Sequence, residues 1–107
     1  MRDEYPTEDE LAQISNWDYK QGFQRLLDLI ESIWWNSEWG FKLYKGRDSF
    51  SHKAVMKLEL HTAGWSGNED IIDALQSNTF WLLCWKESQR GGHYKFEIPF
   101  REKQKNE

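Results

Sequence analysis

Whatever chemistry this 107-residue chain could carry is concentrated in two short runs: His61, Trp65, Asn68 and Glu69 in the first, Arg90, Gly91, Gly92 and His93 in the second. Two histidines and a carboxylate could act as general acid and base, which needs a cleft, or as metal ligands, which need a suitable spacing. No HxH, HxxxH or HExxH pattern joins His61, His93 and Glu69, so no metal and no other cofactor is expected. A helix starting near Ser66 would offer free amides to an anion, but Glu69 and Asp70 already place carboxylates in its first turn and oppose a phosphate. Gly91-Gly92 reads as a tight turn with positive φ rather than as a phosphate cradle. Cys84, the one cysteine, rules out an internal disulfide and a CxxC site. No residue therefore receives a catalytic role. The candidate binding residues are His61, Trp65, Asn68, Arg90 and His93.

Each of these has a plainer structural reading. Ser66 and Glu69 have the spacing of a capping box, in which hydroxyl and carboxylate each satisfy a free amide. Arg90 could pair with Glu69 or Glu87 at little gain. Trp65 resists such a reading: a hydrophobic staple needs an apolar partner four positions into the helix, and that position is Asp70. It must either pack on something more distant or stand as a contact residue.

The elements that must position these residues follow from periodicity. Thr7-Glu8-Asp9-Glu10 is a capping box opening a short helix with Leu11 and Ile14 inward, and Asp18-Tyr19-Lys20-Gln21 repeats the device. Phe23, Leu26, Leu27, Ile30, Ile33 and Trp34 then recur at helical spacing and predict the main helix. Trp39, Phe41 and Leu43 alternate with Lys42 and Tyr44 as a strand. After a turn at 46–49, a second strand sets Ala54, Met56, Leu58 and Leu60 inward against Val55, Lys57, Glu59 and His61. A third helix spans Ile71 to Leu75 and closes near Ser77-Asn78. Phe80 to Trp85 is apolar throughout, as a central strand is, and Gly91-Gly92 turns it into a last strand with Tyr94, Phe96 and Ile98 inward, stopped by Pro99. A two-residue turn pairs Lys86 with Glu97 and makes Trp81 and Trp85 core residues. Phe80, Leu82 and Cys84 fall on the other face and need a cover, either the first helix or a second copy of the chain.

The expected fold class is α+β, in the order α-α-β-β-α-β-β, with helices mainly on one face of a four-stranded, mostly antiparallel sheet. The chain reads as a single domain over 1–107, with 1–5 and 101–107 as solvated tails. If the second and third strands run parallel through the helical crossover, the 61–68 loop and the 88–93 turn meet at one edge. His61, Trp65, Asn68, Glu69, Arg90 and His93 are then neighbours, with residues 35–39 close by.

A net charge of -4 and a pI near 5.4 disfavour nucleic acid and anionic membrane surfaces as partners. The longest apolar run, 80–85, is too short to span a bilayer, and the reading is of a soluble, cytoplasmic protein. Seven Trp are more than such a core hides, so one or two should be partly exposed, as interface anchors often are.

The run His61-Thr62-Ala63-Gly64-Trp65-Ser66-Gly67-Asn68-Glu69-Asp70-Ile71-Ile72, with Phe80-Trp81, Cys84-Trp85 and Arg90-Gly91-Gly92-His93-Tyr94-Lys95-Phe96-Glu97, resembles a group of small proteins encoded by tailed bacteriophages and prophages. The resemblance covers roughly the last half of the chain and brings no activity, cofactor or catalytic residue with it. It implies a bacterial host cytoplasm and a protein that modulates a host factor. The expectation is a non-enzymatic binding module contacting a protein partner, of host or phage, through the edge carrying Trp65, Arg90 and His93. The alternative is a small-ligand or nucleotide-binding protein, with hydrolysis as one variant, that uses the same edge as a pocket.

Overall fold

The computed structural model describes residues 5–48 and 50–99. The expected tails lie outside that range, except Tyr5, whose hydroxyl hydrogen-bonds the Ser66 hydroxyl at 2.8 Å and whose ring packs on Trp65. Helix α1 (Glu8–Ser15) opens on the predicted capping box, with the Glu10 amide donating to Thr7 Oγ1 at 3.1 Å and the Thr7 amide to Glu10 Oε1 at 2.9 Å. Asp18 caps only a single 3₁₀ turn (Tyr19–Gln21). Gly22 then takes a φ of 80°, a conformation no helix continues through, so the main helix α2 (Gln24–Ile33) starts later than predicted. Its inward stripe is the predicted one, with Leu26, Leu27, Ile30 and Ile33 buried.

Trp39 does not begin the first strand. It belongs to a one-turn helix, α3 (Ser37–Gly40), and β1 (Phe41–Arg47) follows. Strands β1, β2 (Ala54–His61), β4 (His93–Pro99) and β3 (Trp85–Gln89) lie side by side in that order, every neighbouring pair antiparallel. β4 therefore sits between β2 and β3, which makes those two parallel in direction. Phe41, Leu60 and Tyr94 align across one face, as do Leu43, Leu58 and Phe96. This face meets Ile14, Leu26, Ile30, Ile33, Trp34, Ile71, Leu75 and Phe80 in one core. From α1 to β4 the fold is an α+β sandwich in the predicted order, with two short helices, α3 and α5 (Thr79–Cys84), added.

The run 80–85 is the main departure. Thr79–Cys84 is a helix, α5, and only from Trp85 is the chain extended. The burial follows the helical period, since Phe80 and Cys84 are fully buried and Leu82 is 83% exposed. A strand would have put all three on one side. The deciding residue is Asn78, read as the end of the preceding helix (α4, Ser66–Gln76) but in fact the start of this one. Its Oδ1 accepts the Phe80 amide at 2.7 Å, and its Nδ2 reaches the carbonyls of Ile14 at 3.0 Å and Trp17 at 2.9 Å. Phe80 meets Phe23 edge-on at 4.9 Å, so the α2 entrance covers it, while Leu82 and Leu83 stay exposed. Trp85, expected in the core, is 41% exposed and donates to Ser88 Oγ at 2.8 Å.

The β3–β4 register differs too. Gln89 pairs with His93 and Glu87 with Lys95, which makes the turn three residues long, and a bulge between Trp85 and Glu87 returns Trp85 to Phe96. The predicted Lys86–Glu97 pair does not form. No helix among the described residues is long and apolar enough to cross a membrane.

Candidate functional site

His61 ends β2 and His93 begins β4, and the two are direct partners in the register. Their side chains lie on the sheet face away from the core, with Nδ1 atoms 2.7 Å apart. His61 Nε2 lies 3.5 Å from Glu59 Oε1, and Glu59 in turn accepts the Tyr44 hydroxyl. A proton on His61 Nε2 facing this carboxylate leaves Nδ1 as acceptor, so His93 Nδ1–H is the donor of the imidazole pair. Tyr44, Glu59, His61 and His93 thus form one hydrogen-bonded row across β1, β2 and β4.

The electrostatics of the row are consistent. The Tyr44 hydrogen bond holds the Glu59 carboxyl below its ordinary range, and the same bond pushes the Tyr44 phenol up to about 12. Burial lowers the pKa of His61, and the positive charge that His93 can carry adds to the effect, against the opposing pull of Glu59. At neutral pH the row therefore holds a neutral tyrosine, an ionised carboxylate and a neutral His61. Cys84 is remote from it, inside the core, where burial raises its thiol to about 12 and makes it a poor nucleophile.

Around the pair, two loops are locked together. The Thr62 amide donates to the Gly92 carbonyl at 2.9 Å, and a Cβ at Gly92 would overlap Thr62 Oγ1, so only glycine allows this approach. Both Gly91 and Gly92 have the positive φ expected of them. Trp39 lies over His61 with ring centroids 5.5 Å apart and remains 47% exposed. Next to it Trp35, Trp65 and Tyr5 form a stack, with Trp65 at 5.6 Å from Trp35 and 4.7 Å from Tyr5.

Helix α4 begins one residue earlier than the capping box requires. Trp65 is the N-cap, without a side-chain hydrogen bond, and Ser66 and Glu69 lie inside the helix. The Trp65 ring instead folds over Gly67, where a Cβ would collide with it, and this placement takes the cap position from Ser66. Trp65 is thus half-buried and packs on distant partners. Asn68 is fully buried. Its Oδ1 accepts the Trp35 amide, and its Nδ2 donates to the carbonyls of Trp35 and Thr62. It is a clamp between loops and presents nothing to a ligand. Arg90 is exposed in the turn, with neither Glu69 nor Glu87 as a partner.

The edge predicted from topology therefore exists, and it brings His61 and His93 into contact. Trp39, Tyr44 and Glu59 were not among the predicted site residues. An alternation that placed Trp39 inward hid the first, while Tyr44 and Glu59 could have been found by pairing the outward residues of β1 and β2. Among the described residues no three of His, Cys, Asp and Glu are placed to hold a metal ion. No protein-family model, curated protein or solved structure matches this chain, so its own geometry is what bears on its role.

Proposed function

We propose that this chain is a non-enzymatic binding module that contacts a protein partner through the edge of Trp39, Trp35, Trp65 and Tyr5, with His61, His93 and Arg90 beside them. The observation that carries the reading is Trp39: a half-exposed indole seated on an imidazole whose two ring nitrogens already have partners. An aromatic held in place before binding loses little conformational entropy on contact, which is the property of an interface anchor. Arg90, exposed in the adjoining turn, adds a cation suited to an acidic rim. The resemblance to small phage proteins supports a bacterial host as the setting, with a host or phage protein as the partner.

Trp39 is a cleaner probe than Trp65. Removing the Trp65 ring deletes its contacts with Trp35 and Tyr5 and should cost about 2 kcal/mol of stability, which confuses folding with binding. Trp39→Ala should change stability by less than about 1 kcal/mol and abolish capture of the partner from bacterial lysate. Leu83→Glu, at the far end of the sheet, should leave capture intact. A Trp39→Ala chain that still captures the same protein with undiminished yield refutes the assignment of this edge.

A further inference from the structure

A concavity lies at the opposite end of β4 from His93. Ile98, one of its liners, is five residues along the strand from His93, or about 17 Å of extended chain. The groove has a volume of about 740 Å³, within the range of small-molecule sites. Its floor and walls are Phe23 and Leu27 of the α2 region, Leu83 and Cys84 of α5, and Ile98. Leu83, 54% exposed, adds apolar surface to this lining.

The polar liners among the described residues are three neutral side chains and one cation. Tyr19, Gln21, Gln24 and Arg25 gather on the α2 side, and among the described residues no carboxylate lines the groove although the chain as a whole is acidic. Arg25 makes no ion pair with a described residue. The first turn of α2 holds no acidic side chain, and its N-cap, Phe23, contributes no hydrogen bond, so the helix dipole adds to the positive sign set by Arg25. Asp28, one turn on, is engaged by Gln24 Nε2 at 3.0 Å.

We propose that this groove binds an anionic amphiphile, a single alkyl chain ending in a carboxylate, with the chain along Phe23, Leu27, Leu83 and Ile98 and the head group at Arg25. The apolar walls account for the chain. Arg25, the one cation among the described liners and with no described acid beside it on the rim, selects the sign of the head.

Dodecanoate, below its micelle concentration, is titrated calorimetrically into the full-length chain. One molecule should bind per chain, saturably, while dodecyltrimethylammonium, with the same tail and opposite charge, should bind much more weakly. Arg25→Gln should weaken dodecanoate about tenfold, and leave dodecanol unaffected. Leu83→Glu should abolish binding, and Trp39→Ala should leave it unchanged. Thermal melts show whether each variant is folded, and exposed Arg25 supports the test if Leu83→Glu is not. The proposal is overturned by the absence of saturable binding, by equal affinity for the two head-group charges, or by an Arg25→Gln chain that binds as wild type does. It is overturned equally if dodecanoate binds only after residues 100–107 are removed, or if the chain dimerises with Leu83 at the contact. Those results would give the groove to the chain's own end or to a second copy.

Discussion

Asn68 holds the candidate edge together, and its two isosteric ends allow that role to be tested with one atom changed. Its Oδ1 accepts the Trp35 amide at 2.9 Å, and its Nδ2 donates to the Trp35 carbonyl at 3.2 Å and the Thr62 carbonyl at 3.3 Å. Asn68→Ala leaves a buried donor and two acceptors facing a methyl group. Each orphaned buried group costs about 1 to 3 kcal/mol, and partial relaxation toward water reduces the sum to about 3 kcal/mol. That is a large share of the stability of a domain this size.

Asn68→Asp has the same shape, yet at neutral pH it should be worse than alanine. One carboxylate oxygen can replace Oδ1, but the other then faces two carbonyl oxygens where Nδ2 stood, and a buried charge is added. The site must raise the folded pKa of that carboxyl above its unfolded value of about 3.9. The folded state then holds the proton more tightly, so the Asp variant is most penalised at high pH and recovers as pH falls through the raised pKa. The alanine variant has no such group. Urea midpoints at a series of pH values, each referred to wild type at the same pH, measure both effects. An alanine variant within about 1 kcal/mol of wild type, or an Asp deficit relative to Ala that does not shrink on acidification, refutes the clamp.

Two further outcomes follow from contacts at the same edge. Gly67→Ala should destabilise the protein because its Cβ displaces the Trp65 ring, but in a Trp65→Ala background the same change should stabilise it by about 0.5 to 1 kcal/mol through helix propensity; a change of the same sign in both backgrounds contradicts the packing. The His61 pKa lies below its ordinary 6.5, so the folded chain binds fewer protons than the unfolded one beneath that pH. The stability contributed by neutral His61 is present above 6.5 and is lost as pH falls through the folded value. His61→Gln should flatten the midpoint-versus-pH curve between about pH 7 and 5, and an unaltered slope in denaturation curves would show that His61 is not the titrating group.

Much of this was legible in the sequence, and the failures have physical causes. The first capping box, the stripe of α2, Phe41 and Leu43 of β1, Leu58 and Leu60 of β2, the inward residues of β4 and the shared direction of β2 and β3 all follow from period and turn chemistry, whereas at the start of β2 Ala54, expected inward, is exposed and Val55, expected outward, is buried. Two Trp, Trp39 and Trp85, are more than 40% exposed, as the count of seven suggested, although neither was the one expected. Phe80 to Trp85 was misread because a short, wholly apolar run has no period of its own to separate strand from buried helix. The arbiter was Asn78, whose side chain is bonded to residues more than sixty positions away, and no local pattern reports such contacts. Trp65 deprived Ser66 of its cap for a similar reason, since its ring rests on Trp35 and Tyr5, both brought in by tertiary structure.

The register predicted for β3 on β4 failed, whereas that of β4 on β2, for which no pairing was predicted, is fixed by burial, and it is this pairing that places the candidate edge. A one-residue slip of β4 on β2 would turn Tyr94, Phe96 and Ile98 outward from Leu60, Leu58 and Met56 and bring His93, Lys95 and Glu97 onto the core. Burial forbids it, so the core residues fix the partner of His61 without any contribution from the histidines. β3 has no comparable constraint: all its residues are exposed, and a shift with a bulge exchanges one solvated pair for another at little cost. The imidazole contact lies on the strongly specified pair of strands, while the turn bearing Arg90 hangs from the weakly specified one. The aromatics and histidines thus stand beside an arginine on a weakly specified turn, which in the proposed module would keep the anchor in place while the cation adjusts to the partner's rim.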